Sequence, residues 1–284
     1  MPEPKDRVEQ YFDRIEHLPS APTVVFELLE LFKKQDCDID RVVKLIARDP
    51  ALTAELLKLT NSVMFGAEHR VDDIFEAVMR IGFYETYRMV MAVSGSKVMM
   101  KMGGAGAVPL RTLWKHSVTT AVAAEVIGGH LQESEATAFT AALLHDIGKI
   151  VLASLEGATF VRLLQEAGES EQSLVEAERA AFGADHAEIG SRLLERWNVT
   201  TDLVMAARFH HTPGLAAPYE RLAAIVHLAN VIAYSLPGEA ASVPAEFRSG
   251  AASLEILRIP ATSLSELTDL AGRALQKEKG LLEM

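Results

Sequence analysis

The sequence predicts an all-α protein, a multi-helix bundle preceded by a smaller helical subdomain. Three observations carry this. Almost every stretch repeats its apolar residues with the roughly 3.6-residue period of a helix, and no convincing run of strict alternation marks a strand. Aromatic residues make up only 6% of the 284, while Ala, Leu, Val and Ile are plentiful, a balance that suits packed helices. Several apolar runs also begin directly behind an aspartate placed as a helix N-cap.

The elements follow in chain order. A helix is expected from about Asp40 to Ala47, capped by Asp38 or Asp40. Asp49-Pro50 then reads as a cap and a first-turn proline before an amphipathic helix over Ala51 to Leu59. Asp72 and Asp73 precede Ile74-Phe75, and Gly82 interrupts before a helix over Tyr84 to Met100. The run from Met102 to Pro109 holds three glycines and a proline and is the obvious hinge. It divides the chain into an N-terminal helical subdomain, residues 1–106, and a second subdomain, residues 107–284. There, helices are expected over Leu110 to Gly128 and Glu135 to Ile147, the latter stopped by Gly148. Shorter helices follow. A loop with Pro213, Gly214 and Pro218 leads to a helix over Arg221 to Tyr234, which stops at Ser235-Leu236-Pro237-Gly238-Glu239. The tail from Ser263 to Lys279 is helical by period. No internal repeat or low-complexity tract is present.

Composition excludes several function classes. With 49% hydrophobic and 24% charged residues the chain is globular rather than disordered. A net charge of −11 disfavours a broad phosphate-neutralising face, so nucleic acid is not an expected partner. Met1 to Glu9 leads into no apolar signal core. The longest charge-free run, Leu222 to Gly238, is too short and too polar to span a bilayer, so no membrane partner is expected. The single cysteine, Cys37, sits in an acidic loop between Asp36 and Asp38 as an ordinary free thiol. A reducing, cytoplasmic setting is expected.

Chemistry concentrates in the histidines. Ala138, Ala141, Ala142 and His145 share one helix face, with Asp146 beside it. His186 opens a helix behind Asp185, with Glu188 three residues after that cap in a capping-box arrangement, and shares a stripe with Ile189, Gly190, Leu193 and Trp197. His210 extends the stripe of Leu203, Ala206 and Ala207, with His211 adjacent. His116 falls in line with Leu113, Thr120, Ala123 and Ile127, and Asn230 in line with Leu222, Val226 and Ala229. Any one of these alone is more simply a core histidine with its own hydrogen bond. Together, each would need a separate buried partner, which is costly to arrange repeatedly. A shared metal removes that cost. Imidazole with carboxylate suits Fe, Mn, Zn or Ni, and an aspartate can bridge two cations. Neighbours in sequence lie about 100° apart around a helix, so His145-Asp146 and His210-His211 can each reach one site. His17, His69, His130 and His227 are left as structural or solvated.

At Leu143-Leu144-His145-Asp146-Ile147-Gly148-Lys149 the sequence resembles the HD superfamily of metal-dependent phosphohydrolases. Leu18-Pro19-Ser20-Ala21-Pro22, Asp49-Pro50-Ala51-Leu52, Asn61-Ser62 and Ala77-Val78-Met79-Arg80-Ile81-Gly82 narrow the resemblance to the HDOD family, over roughly Leu18 to Tyr234. That resemblance implies an all-helical, bacterial signalling module, with the second subdomain as the HD-type metal-binding bundle and an unidentified signalling protein as partner. The chain is also similar to HD-GYP phosphodiesterases at His116, His145, Asp146, His186, His210 and His211. By that similarity His116, His145 and Asp146 would bind one metal, with Asn230 as a neutral fourth group where the relatives have aspartate. Asp146, His186, His210 and His211 would bind a second. Two divalent transition-metal ions are thus expected, iron first, with Mn, Ni or Zn as alternatives. Asp146 and Lys149 are the catalytic candidates, and Lys149 resembles the lysine that contacts substrate phosphate; by default, a lysine after a helix-ending glycine is only a C-terminal dipole partner. Where HD-GYP enzymes carry a glutamate and a Gly-Tyr-Pro loop, this chain has Thr212-Pro213-Gly214-Leu215-Ala216-Ala217-Pro218-Tyr219. The expected function is therefore a metal-binding HDOD regulator. The alternatives are a metal-dependent phosphohydrolase acting on a nucleotide or phosphodiester other than cyclic di-GMP, and a scaffold whose Leu18–Met100 region binds a partner helix.

Overall fold

A computed structural model describes residues 4–14, 22–33, 38–61, 70–102, 110–169, 173–237, 247 and 249–278, and among these it contains helices and no strand. The Leu18–Ala21 stretch, Ser62, Cys37, His17, His69 and the hinge glycines lie outside the described residues.

The first compact unit contains α2 (Thr23–Lys33), α3 (Ile39–Ile46), α4 (Pro50–Thr60), α5 (Ile74–Ile81) and most of α6 (Phe83–Met102). Its helix starts are set by aspartate caps. Asp38 accepts from the Asp40 amide, Asp49 from Ala51 and Leu52, and Asp73 from Glu76, each covering donors that a first turn leaves unpaired. The Asn61 side chain pairs with the backbone of Val71, donating to its carbonyl at 2.7 Å and accepting from its amide at 2.8 Å. Gly82 ends α5 at φ 83°, ψ 160°, a conformation open to glycine and strained for other residues. Both sequence motifs therefore do structural work here. Val25, Leu28, Val42, Ile46, Leu52 and Leu56 fill the core.

The second unit contains α1 (Pro4–Asp13), α7 (Leu110–His130), α8 (Glu135–Leu144), α9 (Ile147–Glu169), α10 (Leu174–Phe182), α11 (His186–Arg196), α12 (Thr201–Phe209), α13 (Glu220–Ser235), α14 (Ala251–Leu257) and α15 (Leu264–Lys277). A single cut after residue 106 does not describe this division, because α1 groups with α7–α15. Its Tyr11 hydroxyl donates to the Phe182 carbonyl, and Glu9 pairs with Arg192 and Arg196 on α11. The centre of the unit is α7, buried from Trp114 to Gly128 on most faces and packed by α8, α13 and α15. One stretch, Glu135–Ala167, is long and apolar enough to cross a bilayer by composition, but its most apolar window is 89% buried against the other helices. It is the core of the bundle.

The largest departure from the sequence reading lies inside this stretch. The helix expected to run to Ile147 ends at Leu144, and His145 is its C-cap. The chain turns at His145 and Asp146 and starts again as α9, whose Lys149 amide donates to the Asp146 carbonyl at 2.9 Å. Gly148 stops nothing; it lies in the first turn of α9. Its role is steric, since a Cβ there would stand 1.9 Å from the His186 carbonyl oxygen and 2.6 Å from the Gly190 amide nitrogen. Lys149 is accordingly a first-turn residue of α9 and not a partner for a helix C-terminus.

Candidate metal centre

The turn between α8 and α9, the start of α11 and the end of α12 bring five of the predicted residues to one place. His145, His186 and His210 are fully buried, Asp146 is 5% exposed, and His211 is half-buried. His186 is placed by its cap, for Asp185 accepts the Glu188 amide at 2.8 Å. The reciprocal half of the expected capping box is not used, because the Glu188 carboxylate pairs with Arg208.

Three imidazoles are oriented in the same way. His145 Nδ1 lies 2.6 Å from the Ala142 carbonyl oxygen and His210 Nδ1 lies 2.8 Å from that of Ala207. A carbonyl only accepts, so each Nδ1 carries the proton and the neutral ring leaves its Nε2 lone pair free. His186 Nδ1 meets Glu178 Oε2 at 2.6 Å, with the same consequence. All three Nε2 atoms face the Asp146 carboxylate. His145 Nε2 is 3.2 Å from Oδ2, while His186 and His210 Nε2 are 3.2 and 3.7 Å from Oδ1. His211 Nε2 closes the group, 2.9 Å from His186 Nε2.

His116, from α7, brings its Nε2 to 3.8 Å from Asp146 Oδ2 and 2.8 Å from Asn230 Oδ1 on α13. Lys149 Nζ donates to Asp146 Oδ2 at 2.6 Å. Every site residue named from the sequence therefore gathers around Asp146. The donor atoms fall into two groups with metal-ligand spacing, His186 with His210 and His211, and His116 with His145 and Asp146.

This donor set fits a divalent metal. His145 Nε2, His210 Nε2 and Asp146 Oδ1 are buried without a hydrogen-bond partner; the arrangement is costly in itself, and a cation between His210 and Oδ1 would satisfy the last two. The protonation states of His145, His210, His211 and Asp146 agree. Burial, reinforced by neighbouring positive groups, pushes His210 and His211 well below the usual imidazole range and lowers His145. Asp146 resists the upward push of burial, because His145 and Lys149 hold its carboxyl well below the usual range. Neutral rings around an ionised carboxylate are what a cation needs.

His186 goes the other way. Against burial, the Glu178 carboxylate raises it to about 9. In chelator-treated protein this gives a two-sided pH dependence. A folded value raised above 6.5 adds stability that is present below 6.5 and lost as pH climbs through about 9. The depressed His145, His210 and His211 remove stability as pH falls below 6.5. Denaturant unfolding should therefore show maximal metal-free stability near pH 6.5. A stability that keeps rising to pH 9 would contradict these assignments.

Three contributors escaped the sequence reading. Glu178, fully buried, accepts from both the amide and Nδ1 of His186. Its signal was present, as a carboxylate on the apolar stripe of Leu174 and Phe182. Tyr234, one turn after Asn230, packs its ring 4.7 Å from that of His116. Phe247 lies against His210, His211 and Tyr234 and belongs to no periodic stretch that could have flagged it. His227 keeps its structural reading, but its Nδ1 donates to the His210 carbonyl at 2.9 Å and so fixes the backbone of a site residue. His130 is exposed.

A family model for the HDOD domain matches residues 18–213, which include every histidine of the centre, Asp146 and Lys149, and stop short of Asn230. An uncharacterized protein of Treponema pallidum (strain Nichols) is 29% identical over 230 residues, 80% of this chain; the chain spans only 44% of that relative's length. Among solved structures, the "Putative phosphohydrolase from Shewanella amazonensis SB2B" is 25% identical, with 97% of this chain and 98% of the other covered at a TM-score of 0.70. An HDOD domain protein with unknown function from Geobacter sulfurreducens shares the fold at a TM-score of 0.69 and 21% identity, with 95% and 97% covered.

Proposed function

The chain belongs to the HDOD family, and from that premise we propose that it is a metal-binding regulatory module whose His/Asp centre serves signalling rather than rapid turnover. The observation that carries this is the orientation of the imidazoles. Nδ1 of His145, His186 and His210 is tied to a carbonyl or to Glu178, which turns each Nε2 onto Asp146. Asp146, His186, His210 and His211 would hold one ion, and His116, His145 and Asp146 are the ligand group beside it. A bound divalent metal supplies Lewis acidity and a fixed positive charge to whatever phosphate-containing group reaches it. The chain's own part is to orient ligands, exclude water and place the Lys149 ammonium.

Burial supports a regulatory over a catalytic role. His116, Asp146 and Lys149 are each at most 6% exposed, and Phe247 packs over His210 and His211. The segment after His211 offers Leu215, Ala216 and Ala217, none with a side-chain hydrogen bond for a guanine edge. A signalling protein is the proposed partner. The second reading is a metal-dependent phosphohydrolase, favoured by the Lys149 ammonium in contact with Asp146 and by the likeness to the Shewanella protein. A hydrolysis screen of metal-loaded protein against nucleotides and phosphodiesters separates the two. Turnover of cyclic di-GMP should not exceed that of Asp146→Ala; enzyme-like rates lost on that substitution would promote the hydrolase.

Glu178→Gln should weaken binding of a divalent ion by roughly 10–100-fold, because the amide holds His186 Nδ1 less firmly and makes its Nε2 a poorer donor. Competition with a fluorescent chelator measures this. An unchanged affinity would show that Glu178 does not tune the centre.

A further inference from the structure

We propose that the centre holds one divalent ion, in the group of His186, His210 and His211, and that the Lys149 ammonium stands in place of a second cation. The inference rests on the metal-binding reading above. Asp146 divides its oxygens between the two ligand groups. Oδ1 faces His186 and His210, at 3.2 and 3.7 Å from their Nε2 atoms. Oδ2 faces His145 and His116, at 3.2 and 3.8 Å, and it is this oxygen that Lys149 Nζ contacts at 2.6 Å. The chain thus supplies its own cation at the oxygen a second metal would need. Lys149 is 4% exposed and sits in a turn fixed by the contact of Gly148 with α11, so its ammonium has little freedom to withdraw.

Asn230 acts in the same direction. Its amide oxygen lies 2.8 Å from His116 Nε2, which turns that nitrogen's proton toward Asn230 and not its lone pair toward a metal. The amide also brings no charge. Charge then decides the number of ions. With one dication, Lys149 and the carboxylates of Asp146 and Glu178, the buried cluster carries a single excess positive charge; a second dication raises the excess to three. The cluster is buried, so that repulsion is poorly screened.

The test is titration of chelator-treated, full-length protein with Mn²⁺, read by electron paramagnetic resonance and by metal analysis after desalting. The wild type should retain about one ion per chain with the spectrum of an isolated ion. Lys149→Met, which removes the internal cation, and Asn230→Asp, which adds a carboxylate, should each retain about two and show an exchange-coupled pair. Lys149→Arg should stay at about one, since it keeps the charge. Wild type retaining about two ions overturns the inference and leaves the metal reading intact. So does either variant that folds by circular dichroism yet stays at about one; should Lys149→Met not fold, Asn230→Asp carries the test. Failure of the wild type to retain Mn, Fe, Zn or Ni contradicts the metal reading itself.

Discussion

Replacing Asp146 by alanine should abolish metal retention and lower the unfolding free energy of the metal-free protein by about 3–5 kcal/mol. The size follows from what the carboxylate touches. One side chain meets Lys149, His145 and His186 within 3.2 Å and is nearly fully buried. Its removal strands the Lys149 ammonium in an interior where no other carboxylate among the described residues stands at hydrogen-bond distance, and a buried charge that loses its partner is among the costliest single changes a core can suffer. Asp146→Asn keeps the volume and should lose the metal with a smaller loss of stability. Urea unfolding in chelator, with m-values compared, measures both variants. A loss under about 1 kcal/mol for Asp146→Ala would show that the carboxylate does not anchor the cluster.

Gly148→Ala should be comparably severe, at roughly 3 kcal/mol or more, although it adds a single methyl group. The added Cβ would stand 1.9 Å from the His186 carbonyl oxygen and 2.6 Å from the Gly190 nitrogen. These are backbone atoms of α11 and cannot swing aside as a side chain would. The first turn of α9 and the start of α11 must separate, and His186 moves with α11. Gly148→Ala should therefore weaken metal binding as well as folding, whereas a distant core substitution of equal cost would affect folding alone. Gly190→Ala should be milder, because its Cβ would lie 2.9 Å from the Gly148 nitrogen. Wild-type thermal stability of Gly148→Ala would contradict the close approach of the two helices.

Cap chemistry is local, and so it was readable in the sequence. Asp38, Asp49 and Asp185 cap the helices expected of them, and Asp73 proves to be the cap of the helix that opens at Ile74. The convergence of His116, His145, His186 and His210 was readable for a related reason, since a polar ligand on an apolar stripe must face the interior. The break at His145-Asp146 was not. Nothing in the local pattern distinguishes a glycine that ends a helix from one that admits a neighbouring backbone, and only the position of α11 reveals which Gly148 is. The grouping of α1 with α7–α15 depends on Tyr11 and Glu9 reaching partners more than 170 residues away. Glu178 was visible as a carboxylate on a buried stripe, but its partner lies across a turn whose course the helical period does not encode. Phe247 had no pattern at all.

The central claim is that these side chains form a metal centre, and anomalous diffraction tests it most directly. Crystals of protein purified without added metal would be measured on both sides of the Fe, Mn, Ni and Zn absorption edges. The account predicts a strong anomalous peak within bonding distance of the Nε2 atoms of His186 and His210 and of Asp146 Oδ1, absent from crystals of Asp146→Ala. A wild-type map with no peak among these atoms at any edge, from protein whose other residues are well ordered, would contradict it.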